Sequence, residues 1–214
     1  QVAEGRLDAN FFQHQPYLDE FNASRGTTLV SIAGVHVEPF GAYSSKIKSL
    51  ADLPQGANVV IPNDATNGGR ALLLLQKAGL IKLKDASNIL STPKDIAENP
   101  KNIKIVELEA AQLPRSRADV DFAIVNGNYA MSSGMKLTEA LFQEPSFAYV
   151  NWSAVKTADQ GSQWLKDVTE AYNSEAFKTY AHQRFAGYKY PAAWGEQAVA
   201  GAASEAAATA SAAK

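Results

Sequence analysis

Residues 61–81, IPNDATNGGRALLLLQKAGLI, run from a short apolar strand through a polar turn into a helix. Asn67 is the N-cap candidate, and Gly79 stands just past the last turn. The leucine run 72–75 is apolar on every side, which predicts a helix buried between neighbours. A strand that feeds a helix in this way is one step of an α/β chain. Gly68, Gly69 and Arg70 fall in the expected first turn, although each helical glycine costs roughly 0.8–1.0 kcal/mol against alanine. Two readings are open. Bare backbone at a helix N-terminus lets an anion approach unpaired N–H groups, and Arg70 adds a planar fork suited to a carboxylate. Alternatively, the glycines only shape a tight turn and Arg70 is a solvated surface residue. Neither the G-x-x-x-x-G-K-[ST] nor the G-x-G-x-x-G spacing is present.

Outward from this stretch, strand and helix signals alternate. TTLVSIAGVHVEPF reads as a strand ended by Pro39 and Gly41, and residues 58–61 as another. NIKIVELEA, VDFAIVNGNYA and SFAYVNWSAV are further short strands, and GSQWLKDVTEAYNSEAFKTYAHQRF has the period of one long amphipathic helix. This alternation predicts the α/β class with a parallel sheet. From Gly195 the chain becomes an Ala-rich, low-complexity tail, expected to be a mobile extension.

The 214 residues suffice for one large domain or two smaller lobes. The net charge of −2, with no basic block, argues against nucleic acid as a partner. With no Cys, disulfides, thiol catalysis and cysteine-ligated metals are excluded. The three His show no metal-ligand spacing, so neither a metal nor a cofactor is expected. QVAEGRLDANFF lacks the basic start and apolar core of a secretory signal. VAEGRLDANFFQHQPYLDEF reads as the end of one helix, a strand and the next helix, as if the chain began within a longer fold.

Three of the apolar strands finish on asparagine: Asn63, Asn126 and Asn151. Ligands of open α/β sheets sit outside the carboxyl ends of the strands, and an asparagine there offers both a donor and an acceptor without charge. A second cluster, DANFFQHQPYLDEF, packs Phe11, Phe12, His14 and Tyr17 into seven residues, enough for an apolar pocket with a polar rim. At least one of the two phenylalanines is expected in the core instead. His36 is expected to be a strand residue with a structural partner, and His182 a helix-surface residue.

Catalytic signatures are missing. HExxH, GxSxG and a paired-carboxylate pattern do not occur, and SKIK lacks the companion motifs of the S-x-x-K enzymes. Glu107 and Glu109 share one side of a strand and are expected to be solvated. Asn22 and Asn151 match the short glycosylation pattern. Asn, Arg and aromatic side chains hold ligands well and transfer protons poorly, which favours binding without chemistry.

DANFFQHQPYL, GVHVEPFGAYSSKIKSLADLPQGA, IPNDATNGGRALLLLQKAGLIKLKD, DIAENPKNIKIVELEAAQLPRS and VDFAIVNGNYA, taken in order, resemble the NlpA/MetQ lipoproteins, the methionine-binding components of an ABC importer. The resemblance runs over residues 2–190. It implies a type 2 periplasmic binding protein, two α/β lobes joined by two crossing strands near 39–43 and 146–151, closing on ligand in a cleft. Lobe 1 would comprise 1–43 and 146–194, lobe 2 would comprise 44–145, and the tail 195–214 falls outside the pattern. By motif, Arg70 would take the carboxylate of a methionine zwitterion, supported by Asn67. Asn126 and Asn151 would hold its amino and carboxylate groups. Phe12, His14 and Tyr17 would wall the thioether pocket, with Tyr43 a further candidate from the hinge. Family members begin with a signal peptide, a lipidated cysteine, and a first strand and helix that this sequence does not contain. Lobe 1 is therefore expected to lack a strand, and membrane contact would come from a lipid anchor upstream. The implied function is capture of methionine, L- or D-, and delivery to a membrane ABC permease at the cell envelope, with no cofactor and no reaction. The alternatives are another amino acid or a short peptide as ligand, or a sensor or enzyme on the same fold. The enzyme reading would need Asp64 or Glu38 at the ligand site with a raised pKa.

Overall fold

The computed structural model describes residues 1–145, 148–185, 187–190 and 194. The Ala-rich tail and positions 146–147 of the second expected crossing lie outside the described residues. In chain order the elements are β1 (Ala9–His14), α1 (Gln15–Arg25), β2 (Leu29–Val37), β3 (Gly41–Tyr43), β4 (Asn58–Pro62), α2 (Ala65–Lys77), β5 (Lys82–Leu83) and β6 (Ile96–Glu98). They continue with β7 (Lys104–Leu108), α3 (Leu113–Ser116), β8 (Phe122–Val125), α4 (Gly127–Ser132), β9 (Phe142–Gln143), β10 (Val150–Lys156), α5 (Gln163–Tyr172) and α6 (Glu175–Arg184). They divide into two compact units, Gln1–Glu38 with the described residues from 148 onward, and Pro39–Pro145.

The second unit is one uninterrupted segment around a five-stranded sheet ordered β7-β4-β8-β3-β9. β7, β4 and β8 are parallel, as crossover helices α2 and α3 require. The sheet as a whole is mixed rather than parallel, because β3 runs antiparallel to both β8 and β9. Only a 3-10 turn at Leu50–Asp52, and no α-helix, lies between β3 and β4 to carry the chain back for a parallel return. The crossing expected at 39–43, counted with lobe 1, is thus β3 of this second sheet. Leu72, Leu74 and Leu75 of α2 pack with Phe40, Ile61, Phe122 and Ile124 in its core.

Helix α2 starts earlier than its sequence suggests. Its N-cap is Asp64, whose carboxylate accepts the Asn67 N–H at 2.9 Å. Asn67 is therefore inside the helix, and the Gly68-Gly69 pair follows the first turn. The Gly68 N–H donates to the Asp64 carbonyl at 2.7 Å and closes the helical ladder, so it is not an open anion site. The glycines serve close approach instead. A Cβ on Gly69 would lie 2.0 Å from the Ile89 carbonyl oxygen, and one on Gly68 would lie 3.1 Å from the Pro62 carbonyl oxygen. At the other end Gly79 has φ +73°, and the Leu80 N–H reaches back to the Leu75 carbonyl at 3.0 Å, which closes the helix as read from sequence.

The first unit holds a three-stranded sheet ordered β1-β10-β2, with β10 antiparallel to both neighbours. Val35, Ala181, Tyr190 and Trp194 form its buried cluster, with Phe11, Phe177 and Tyr188 packed against it. Residues 2–5 are turns rather than a helix end, since Gly5 sits at φ +70° and its N–H bonds the Val2 carbonyl. The long helix expected over 161–185 is two, α5 and α6. Asn173 ends the first and Ser174 caps the second, its Oγ accepting the Phe177 N–H at 3.2 Å. Short polar side chains at Asn173 and Ser174 give the backbone this alternative to a continuous ladder.

Candidate functional site

In the second unit, two strand-to-helix junctions and one loop supply five polar side chains, Asp64, Asn67, Arg70, Asn126 and Glu144. Arg70 lies one turn beyond Asn67 on α2, so both occupy the same helix face. The Asn67 amide nitrogen donates to both oxygens of Asp64 at 3.1 Å, and the Asn126 amide donates to the Asn67 side-chain oxygen at 3.2 Å. The Asn126 Oδ1 is buried and has no hydrogen-bond partner among the described residues. Arg70 is 3% exposed. Its Nε donates to the two Glu144 oxygens at 3.1 and 2.9 Å, and its Nη2 to Oε2 at 2.5 Å. The guanidinium carbon stands 4.6 Å from the centre of the Phe40 ring. Arg70 is therefore neither solvated nor at a bare helix tip. It is a desolvated cation held over an aromatic face, with its charge balanced by a carboxylate.

In the first unit, β1 and the start of α1 hold the aromatic candidates. His14 ends β1 and N-caps α1, its Nδ1 accepting the Tyr17 N–H at 3.1 Å, which leaves the proton of a neutral ring on Nε2. Phe12 and Tyr17 meet edge to face at 5.5 Å, and His14 meets Tyr149 at 5.1 Å. Phe12 is 52% exposed, whereas Phe11 is turned into the core against His36 and Tyr172. A cavity of about 200 Å³ is lined by Phe12, Tyr17, Leu18, Phe21 and Val2 among others. Asn151 does not end a strand: it is the second residue of β10, in register with His14 on one side and His36 on the other. Because β10 runs antiparallel, its start lies level with the ends of β1 and β2, so Asn151 and His14 share one edge of the sheet.

Tyr43 does not join the Arg70 group. Phe40 and Ala42 face the core that holds α2, and strand alternation turns Gly41 and Tyr43 to the other side of β3. The Tyr43 hydroxyl is buried with no hydrogen-bond partner among the described residues. Burial pushes its pKa up to about 12, with the Glu139 carboxylate acting in the same direction. Asn63 is exposed just past β4. Glu107 and Glu109 are exposed, as is His182, and His36 has its structural partner in Glu38, 3.1 Å away. The carboxylates on which an enzyme reading depended are occupied, Asp64 as a helix cap and Glu38 by His36. The Asn22 side chain is engaged by Leu29 and Thr27, and so joins α1 to β2. Among the described residues there is no cluster suited to a metal ion, and no helix long and apolar enough to cross a membrane. Sequence reasoning missed Glu144, Phe40 and Tyr149. The first lies 74 positions from its partner, a distance at which no local pattern signals a pair.

The model of the NlpA lipoprotein family matches residues 1–193. The chain belongs to the NlpA lipoprotein family. Among its curated relatives, the D-methionine-binding lipoprotein MetQ of Salmonella typhi is 46% identical over 190 residues, covering 87% of this chain and 70% of that one. Among solved structures, an ABC transporter periplasmic substrate-binding protein from Coxiella burnetii matches with TM-score 0.85 at 46% identity, over 89% of this chain and 81% of that one. A nutrient-binding protein from Burkholderia cenocepacia bound to methionine matches with TM-score 0.86 at 45% identity, over 88% and 81%. This NlpA-family chain thus has the α/β fold of the periplasmic substrate-binding proteins, and its family is one of binding proteins.

Proposed function

We propose that this chain captures methionine, L- or D-, as a zwitterion and serves as the substrate-binding component of an ABC importer at the cell envelope. The observation that carries the reading is the Arg70–Asn67–Asn126 group, in which buried Arg70 and Asn67 share a helix face and Asn126, bonded to Asn67, carries an orphaned buried amide oxygen. A guanidinium suits the carboxylate of an amino acid, and Asn126 Oδ1 suits its ammonium. Asn151 would add a further polar contact. Phe12, His14 and Tyr17 provide aromatic surface for the thioether, where each sulfur–ring contact is worth roughly 0.3–1.5 kcal/mol. Relatives named for methionine binding, and one solved with methionine bound, support the choice of ligand. Delivery to a membrane permease, and attachment by a lipid anchor, follow the family's transporter and lipoprotein members.

Calorimetric titration of ligand-free protein with L-methionine tests this. One ligand is expected per chain, with binding lost in Arg70→Ala. Heat with another amino acid or a dipeptide, but none with methionine, overturns the ligand and retains the class. Turnover of a bound amino acid would overturn the class.

A further inference from the structure

The proposed binding role leaves Glu144 unexplained. Its carboxylate covers the Nε–Nη2 edge of Arg70 with contacts of 2.5 to 3.1 Å, and the two side chains are 6% and 3% exposed. The backbone fixes it there: the Glu144 N–H donates to the Phe40 carbonyl at 2.8 Å, one step beyond the β3–β9 pairing of Gly41 with Gln143. Phe40 in turn lies under the guanidinium. Carboxylate and aromatic ring therefore reach Arg70 from two hydrogen-bonded neighbours just outside the adjacent strands β3 and β9.

We propose that Glu144 is the positioning residue for Arg70 and sets the preference of this protein for ligands with a carboxylate. This rests on the reading of Arg70 as the carboxylate holder. A guanidinium offers its N–H groups in one plane, and a partner on the Nε–Nη2 edge fixes both that plane and the direction of the Nη1–Nη2 edge. A carboxylate meeting the second edge makes two parallel bonds only if that direction is held. Rotation of Arg70 would break its contacts with a buried carboxylate, so Glu144 locks the fork. It also cancels the charge of Arg70. A ligand is then held by local geometry rather than by a net positive site open to any anion.

The test compares L-methionine with L-methioninamide, in which only the carboxylate is replaced, on the native chain, Glu144→Gln and Glu144→Asp. The native chain should prefer methionine by about a hundredfold, the scale of a charged, two-point contact. In Glu144→Gln the preference should shrink to about tenfold or less through weaker methionine binding, with methioninamide little changed. Glu144→Asp keeps the charge with a shorter reach and should fall between, and it carries the comparison if the glutamine variant does not fold. If both ligands weaken by the same factor and the preference stands, Glu144 only supports the fold and the proposal fails. If the native chain shows no preference, or Arg70→Ala still binds methionine, the reading of Arg70 itself fails.

Discussion

The side-chain amide of Asn126 donates to the side-chain oxygen of Asn67 at 3.2 Å, and Asn67 donates to the cap carboxylate of Asp64. Residues 59 positions apart are thereby ordered by the group that starts α2. Asp64→Ala should cost about 1 kcal/mol of stability through the lost cap. It should also release Asn67 and lower methionine affinity by about tenfold, the worth of one good hydrogen bond. Asp64→Asn retains an acceptor and should keep most of both. Thermal melts and titration read the two effects separately.

Gly69 and Gly68 should respond differently to alanine. At Gly69 the new methyl would meet the Ile89 carbonyl at 2.0 Å, and backbone must move. Gly69→Ala should lose about 2 kcal/mol or more, although alanine favours helix by roughly 0.8–1.0 kcal/mol. At Gly68 the nearest atom is 3.1 Å away, so a small shift suffices and the net change should stay within about 1 kcal/mol. Urea titration of the two variants side by side checks this.

Tyr43 gives the chain an alkaline dependence. Its folded pKa is raised to about 12 from 10.0, so the unfolded chain loses the phenolic proton first. The stabilisation it contributes is present below pH 10 and is lost as pH rises towards about 12. Tyr43→Phe should remove that part of the decline. At neutral pH it should change stability by less than about 1 kcal/mol, since the hydroxyl has no partner to lose among the described residues. Melting temperatures of both forms from pH 7 to 12 test the sign.

Phe12 and Phe11 should separate binding from folding. Phe12→Ala removes a half-exposed ring that meets Tyr17, and should cost no more than about 1 kcal/mol of stability. Methionine affinity should fall by about tenfold with the lost sulfur–ring contact and burial. Phe11→Ala empties a place beside His36 and Tyr172 and should cost about 3 kcal/mol.

What could be read from the chain was local. Strand β4, the leucine-rich body of α2 and its Gly79 terminus follow from apolar period and turn chemistry within one stretch. The polar side chains at 67, 70 and 126 stood out because each opens or follows a strand-to-helix turn. What escaped depends on distant neighbours. The Gly68-Gly69 pair answers to the carbonyls of Ile89 and Pro62, and Arg70 to a carboxylate at 144. The start of β10 at Val150, rather than an end at Asn151, is set by pairing with β1 and β2. The division of α5 from α6 rests on the short polar pair Asn173-Ser174, and the strongly amphipathic pattern of α5 weakens beyond it in α6.

The strand order β1-β10-β2 has a consequence for synthesis on the ribosome. β10 separates β1 from β2, yet it is translated only after the whole of the second unit. A nascent chain can complete the 39–145 segment while two earlier strands still lack the partner that joins them, and chaperones would meet those unpaired edges first.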